Sequence, residues 1–167
     1  MKTIQVYCGT YHKYNCGSID GAWIDLSDFS DMDSFLKRCS ELHADESDPE
    51  FMFQDIDNDF NFRVTGEPGL DEIEKMIDFL QLNSWEKEQV EAWVELFGWR
   101  ETVKETLDAA ENHYAGQADN WAEYAEQLYS ECYEIPEFLQ NYIDWHAIGR
   151  DLSFENSMAS NGIIFHD

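Results

Sequence analysis

The chain has 167 residues and carries 36 Asp plus Glu against ten Lys plus Arg, a net charge of −26. That balance excludes direct nucleic-acid binding, which depends on cations that neutralise phosphates, and it works against compact folding through self-repulsion. Acidic disorder is excluded as well: disordered chains lack aromatics, whereas this one has 11 Phe, 8 Tyr and 6 Trp and is 43% hydrophobic.

Thr3 to Cys8 alternates Ile4, Val6 and Cys8 against Gln5 and Tyr7, which predicts a strand. Tyr11 to Gly17 reads as a loop, and Ala22 to Leu26 as a second strand. Ser30 or Asp31 can cap a helix through Leu42 with Phe35, Leu36 and Cys39 on its buried face. Phe51–Gln54 and Phe60–Val64 read as further short strands. Gly66-Glu67-Pro68-Gly69 is a break, after which the period becomes helical. Leu70, Ile73, Met76, Ile77 and Leu80 follow one helix face. Asn83-Ser84 interrupts it, with Ser84 as the expected cap of a helix carrying Val90, Trp93, Val94 and Phe97, ended by Gly98. Glu101 to Ala110 is helix-like. His113 to Asp119 reads as a second break. Trp121, Tyr124, Ala125, Leu128 and Cys132 share a helix face, Pro136 suits the first turn of a short helix through Tyr142, and Gly162 to His166 reads as a terminal strand.

These elements predict an α+β protein of three small domains in a row: an α+β unit over 1–65, a central helical bundle over 66–108 and an α+β unit over 109–167. The charge is shared almost evenly among them, at −8, −8 and −10. An acidic tail would concentrate it in one block.

Motifs for chemistry are absent. Asp55, Asp57 and Asp59 open like a calcium loop, but the positions that need Gly and Glu hold Phe60 and Gly66, so they read as a solvated acidic turn. The five histidines, His12, His43, His113, His146 and His166, show no HxxxH spacing. There is no P-loop, GxGxxG or GxSxG. The expectation is a protein that is not an enzyme and uses no cofactor or metal. Cys8, Cys16, Cys39 and Cys132 form no CxxC pair. No signal peptide and no run long enough to span a membrane is evident, so a cytoplasmic protein with reduced thiols is expected.

A strongly acidic, folded surface attracts the basic channels of DNA-binding proteins. Glu88, Glu91 and Glu95 fall on one helical stripe, as do Glu101 and Glu105. Steps of four residues advance about 6 Å, whereas duplex DNA carries a charge every ~1.7 Å. One stripe is therefore too sparse to imitate DNA, and several must run together. The carboxylates expected to take part collectively are Asp25, Asp28, Asp31, Asp33, Glu88, Glu91, Glu95, Glu101, Glu105, Glu123, Glu126, Glu131 and Glu134. The alternative is an acidic binding module for another basic DNA-binding protein.

Two stretches carry a family resemblance. One runs through Gln5-Val6-Tyr7, Lys13-Tyr14-Asn15-Cys16-Gly17 and Gly21-Ala22-Trp23. The other runs from Pro136 to Asp144 and continues in Gly149-Arg150-Asp151-Leu152. Both resemble the ArdA antirestriction proteins of plasmids and other mobile genetic elements. Phe53-Gln54-Asp55-Ile56-Asp57 stands where that family has an apolar–His–Asp motif, with Gln54 in place of the His. The resemblance implies a non-catalytic mimic of bent B-form DNA. Such a mimic inhibits type I restriction–modification enzymes by occupying the DNA channel of their specificity and methyltransferase subunits. It also implies a curved, three-domain fold and a two-fold homodimer whose contact maps onto Asn112, His113, Tyr114 and Trp121. A dimer would carry 52 excess charges, equivalent to about 88 Å of duplex.

Overall fold

A computed structural model describes residues 2–60 and 67–167. The fold is α+β, with two three-stranded antiparallel sheets and eight α-helices among the described residues. The chain forms two compact units, Met1–Lys87 and Glu88–Asp167.

In the first unit, β1 (Ile4–Thr10) is the central strand, flanked by β2 (Ala22–Asp25) and β3 (Phe51–Asn58). Ile4, Val6 and Cys8 point into the core, as the alternation predicts. Register slips between Tyr7 and Cys8, which face Asp55 and Phe53, so Gln54 is the extra residue of a bulge. The bulge explains why β3 does not alternate cleanly. Ile56 packs on the core on one side of it and Phe53 and Phe51 on the other, a switch of parity that a single inserted residue produces.

The loop expected over Tyr11–Gly17 is instead a short helix, α1 (Tyr11–Asn15), whose first turn is closed by the Lys13 amide donating to Thr10 Oγ1 at 3.2 Å. None of its residues is buried, so it left no apolar period to read. A 3₁₀ turn (Leu26–Asp28) leads to α2 (Met32–Leu42), capped by Asp31, with Phe35 and Cys39 buried and Leu36 at the core margin. The strand expected over Phe60–Val64 falls, beyond Phe60, outside the described residues. α3 (Leu70–Gln81) buries Ile73, Met76, Ile77 and also Phe79. The first three join Ile4, Val6, Leu26 and Phe35 in one core, so the first helix of the central stretch packs on the N-terminal sheet.

The boundary between units falls in α4 (Ser84–Phe97). Its cap is Asn83 rather than Ser84. The Glu86 amide donates to Asn83 Oδ1 at 3.0 Å, and the Asn83 amide donates back to Glu86 Oε2 at 2.8 Å. This is a reciprocal capping box in which Glu86 supplies the second acceptor. Gly98, with φ +82°, ends the helix as expected. α5 (Val103–His113) starts two residues later than the helical pattern suggested, because Thr102 caps it by accepting from the Glu105 amide at 3.1 Å. The break expected from His113 is the helix end followed by a strand, β4 (Tyr114–Gln117).

α6 (Trp121–Cys132) forms as predicted, with Tyr124 and Ala125 buried and Cys132 exposed. The helix expected through Tyr142 is a single turn, α7 (Glu137–Gln140), with Pro136 at its cap. Two further elements appear: α8 (Trp145–Leu152), whose Trp145, Ile148 and Leu152 follow a helical period behind an Asp144 cap, and β5 (Asn156–Met158), which is too short to leave a pattern. The terminal strand is β6 (Ile163–His166), and it lies between β4 and β5. Ile163, Ile164 and Phe165 are all fully buried. Ile163 and Phe165 pack with Ala92, Trp93 and Ala110 of α4 and α5. Ile164 packs with Tyr124, Leu128 and Leu152 of α6 and α8. Helices thus cover both faces of this sheet, which is why its central strand is apolar without alternation. α6 and α8 cross closely at Gly149, where a Cβ would stand 2.4 Å from the Trp121 carbonyl oxygen.

Candidate functional site

The candidate carboxylates separate into those that hold the fold and those that only face solvent. Asp25 accepts from the Ser27 amide at 2.9 Å and its hydroxyl at 2.6 Å. Partial burial pushes its carboxyl up, and the Ser27 hydrogen bonds outweigh this, so it titrates below the usual range. Asp31 caps α2, accepting from the Ser34 amide at 2.8 Å and the Ser30 hydroxyl at 3.0 Å. The amide bond from Ser34 is the main cause of its lowered value. Asp28 and Asp33 are exposed, Asp33 in the first turn of α2, where the positive helix end favours an acid.

On α4, Glu88 and Glu95 are exposed and Glu91 is half-buried. The Glu95 carboxylate accepts from the Ser160 amide at 2.9 Å and its hydroxyl at 2.7 Å. The Glu88 carbonyl accepts from Asn161 Nδ2 at 3.2 Å. The stripe is therefore tied to the turn between β5 and β6. Glu101 and Glu105 do not share a helical stripe, because Glu101 precedes the cap of α5. Both are exposed. In α6, Glu123 is half-buried and accepts from the Asp119 amide at 2.8 Å, while Glu126, Glu131 and, just beyond the helix, Glu134 are exposed.

Few bases answer this charge. Lys13 is held between Asp45 at 3.0 Å and Asp20 at 3.1 Å, with its ammonium also 3.1 Å from His43 Nδ1. An ammonium can only donate, so Nδ1 accepts, and the other ring nitrogen of the buried His43 donates to the Cys8 carbonyl at 3.2 Å. The hydrogen bond to Asp45 raises Lys13 above its ordinary value, and the same bond lowers Asp45. Arg38–Glu41 and Arg150–Asp151 are exposed pairs at 3.9 and 3.3 Å, a type that contributes little. Between Lys104 and Arg150 the sequence has ten acids and no Lys or Arg.

The residues mapped to a dimer contact lie close in the chain but differ in setting. Asn112 and Tyr114 are exposed, and Tyr114 begins β4, an outer strand of its sheet. His113 is half-buried, its Nδ1 2.9 Å from the Ala109 carbonyl and its ring 5.3 Å from that of Trp93. Trp121 is half-buried against Tyr124.

Two clefts of about 350 Å³ occur in the first unit. One gathers Glu50 and Glu67 around Tyr11, whose hydroxyl donates to Glu67 at 3.2 Å. The Glu67 charge raises the tyrosine's pKa, so it stays protonated. The other holds His12, Asp45, Glu46 and Asp48. Among the described residues no group of three or more His, Cys, Asp or Glu is placed to hold a metal ion. No helix among them is long and apolar enough to cross a membrane.

Apart from the candidate acids and the residues mapped to a dimer contact, a run of exposed rings stands at Tyr133, Phe138 and Tyr142. Its signal was available, in aromatics that follow no buried helical period.

No curated protein matches the sequence. A family description, antirestriction protein (ArdA), matches residues 6–165, nearly the full chain and including the central stretch that carried no motif resemblance. The acidic α+β chain belongs to the ArdA family of antirestriction proteins.

Proposed function

We propose that the protein inhibits type I restriction–modification enzymes by presenting its carboxylates in place of DNA phosphates to the methyltransferase and specificity subunits. It does so without catalysis. The observation that carries this reading is the charge of each unit taken separately: 19 acids against seven bases in residues 1–87, and 17 against three in residues 88–167. Neither unit neutralises itself, and ten of the thirteen candidate carboxylates are exposed. A channel lined with Lys and Arg gains from such a surface what it gains from a phosphate backbone.

In this reading the segments 1–65, 66–108 and 109–167 each contribute a share of the charge, and a homodimer joined near Asn112–Tyr114 and Trp121 doubles it. The outer position of β4 supports that contact, since an outer strand can pair with its copy across a two-fold axis. Sedimentation of Tyr114→Asp is expected to yield monomers; an unchanged dimer would remove the assignment.

The main test is inhibition of a purified type I enzyme across a salt series. The inhibition constant is expected to weaken steeply and log-linearly from 50 to 500 mM NaCl. Glu126→Gln, Glu131→Gln and Glu134→Gln together are expected to flatten that slope. A salt-independent constant would refute phosphate mimicry. Stronger binding to an unrelated basic DNA-binding protein than to the type I enzyme would refute the target.

A further inference from the structure

Carboxylates reproduce only the phosphates of DNA. The surface of the second unit also offers rings. Tyr133 is 64% exposed, Phe138 73% and Tyr142 85%, with Leu139 at 43% between them. Most large aromatics in a folded chain are drawn inward because each buries 150–250 Å². Here three stand in water within ten residues. Phe138 and Tyr142 are four residues apart at the single turn of α7, where the Tyr142 amide donates to the Leu139 carbonyl at 2.9 Å.

The surroundings decide what can cover them. Along the chain, Glu126, Glu131, Glu134, Glu137 and Asp144 lie on either side of the rings, and no Lys or Arg lies between Lys104 and Arg150. A second copy docking here would bring five acids against the same five. A nucleic acid is repelled for the same reason. The occupant must be basic at its rim and able to receive flat apolar groups. A protein channel built for DNA has both properties: cations for phosphates, and guanidinium or aromatic faces on which bases stack.

We propose that Phe138 and Tyr142 act as base surrogates, stacking in the base-contacting part of the target's DNA channel while the flanking carboxylates meet its phosphate-binding cations. This rests on the DNA-mimic reading and adds to it a salt-insensitive component. The electrostatic term supplies affinity that any basic channel shares, and the rings supply affinity that depends on a matching recess.

The experiment compares the intact protein with Phe138→Ala/Tyr142→Ala for binding to a type I methyltransferase at several salt concentrations. Base–aromatic stacking is worth about a factor of ten per ring. The double variant is expected to bind about a hundredfold more weakly at every salt concentration, with the salt slope unchanged. Phe138→Tyr/Tyr142→Phe keeps both rings and is expected to bind like the intact protein. Both rings are outside the core, so circular dichroism and the melting temperature should be unaltered. If the intact protein binds with the expected salt slope and the double variant binds equally well, the ring proposal falls and phosphate mimicry stands. If the intact protein does not bind, both fall. If the double variant alone loses self-association in sedimentation, the rings contact a second copy and the proposal is overturned.

Discussion

The two units handle the same excess of acid in different ways. The first, at −12, draws some of its acids into the fold. Asp25 and Asp31 close the starts of the 3₁₀ turn and α2, and Asp20 and Asp45 grip Lys13 beside the buried His43. The second, at −14 with three bases, caps α5 and α6 with the neutral Thr102 and Asn120 and only α8 with an acid, Asp144. It leaves Glu126, Glu131 and Glu134 in solvent. The difference teaches that an acid count does not measure interaction surface. Carboxylates that cap helices also hold the fold, so variants meant to test charge belong on exposed acids outside the caps, such as Glu126, Glu131 and Glu134.

The cores differ as well. Among the described residues, the first has a large cluster beneath a sheet, built on Phe35, Phe53 and aliphatic side chains. The second splits into two smaller clusters on opposite faces of β6, with alanines at the contacts. The largest predicted effect uses this. Phe35→Ala should cost about 3–5 kcal/mol. Hydrogen exchange should rise in β1, β2 and β3 and stay low at Ile163–Phe165. Equal loss of protection in both units would break the distinction and make the molecule one cooperative body.

Gly149→Ala is the counterpart in the second unit. Its Cβ meets backbone rather than a movable side chain, so α8 must shift from α6 at a cost of about 1–3 kcal/mol. The expected signature is faster exchange in α6, α8 and β6 with β1 unchanged. Thr102→Ala removes one acceptor from the start of α5 and should cost about 1 kcal/mol, read from urea midpoints, with Thr102→Ser close to the intact protein.

The smallest effect is in pH dependence. Asp25, Asp31 and Asp45 all have lowered values in the folded state, and all three lie in the first unit. A lowered carboxyl contributes its full stability above its unfolded value, 3.8, and loses it as pH falls through the folded value. The first unit should therefore lose protection as pH drops below about 4. Asp31→Asn should make that loss shallower while keeping the cap. Lys13 moves the other way: its raised value preserves the Lys13–Asp45 contribution until pH climbs past 10.5. An unchanged acid limb in Asp31→Asn would show that the cap carboxylate does not set it.

Helices with an apolar stripe were legible because burial of one face repeats every 3.6 residues, as in α3, with Ile73, Met76 and Ile77. α1 and β5 were not. α1 buries nothing, and β5 is three residues long and gains its partner from β6. α8 does carry a helical period, in Trp145, Ile148 and Leu152 behind the Asp144 cap, but its closest contact is at a glycine, which no hydrophobic pattern records. Asn83 and Ser84 are both good caps, and the choice fell to Asn83 because Glu86 sits three residues on to complete the box.

The candidate site divides in the same way. Net charge, its even spread and the stretch without a base between Lys104 and Arg150 follow from the sequence alone, since folding alters neither a sum of charges nor their order along the chain. Which carboxylates remain available was decided by tertiary structure. Glu95 is tied to Ser160 and Tyr142 is left in water because of where β5, β6 and α7 place their neighbours. A hydrogen bond 65 residues away in the chain, or the lack of a wall against a ring, is a matter of distance in space. The sequence determined how much negative charge the molecule carries, and the fold determined which groups can meet a partner.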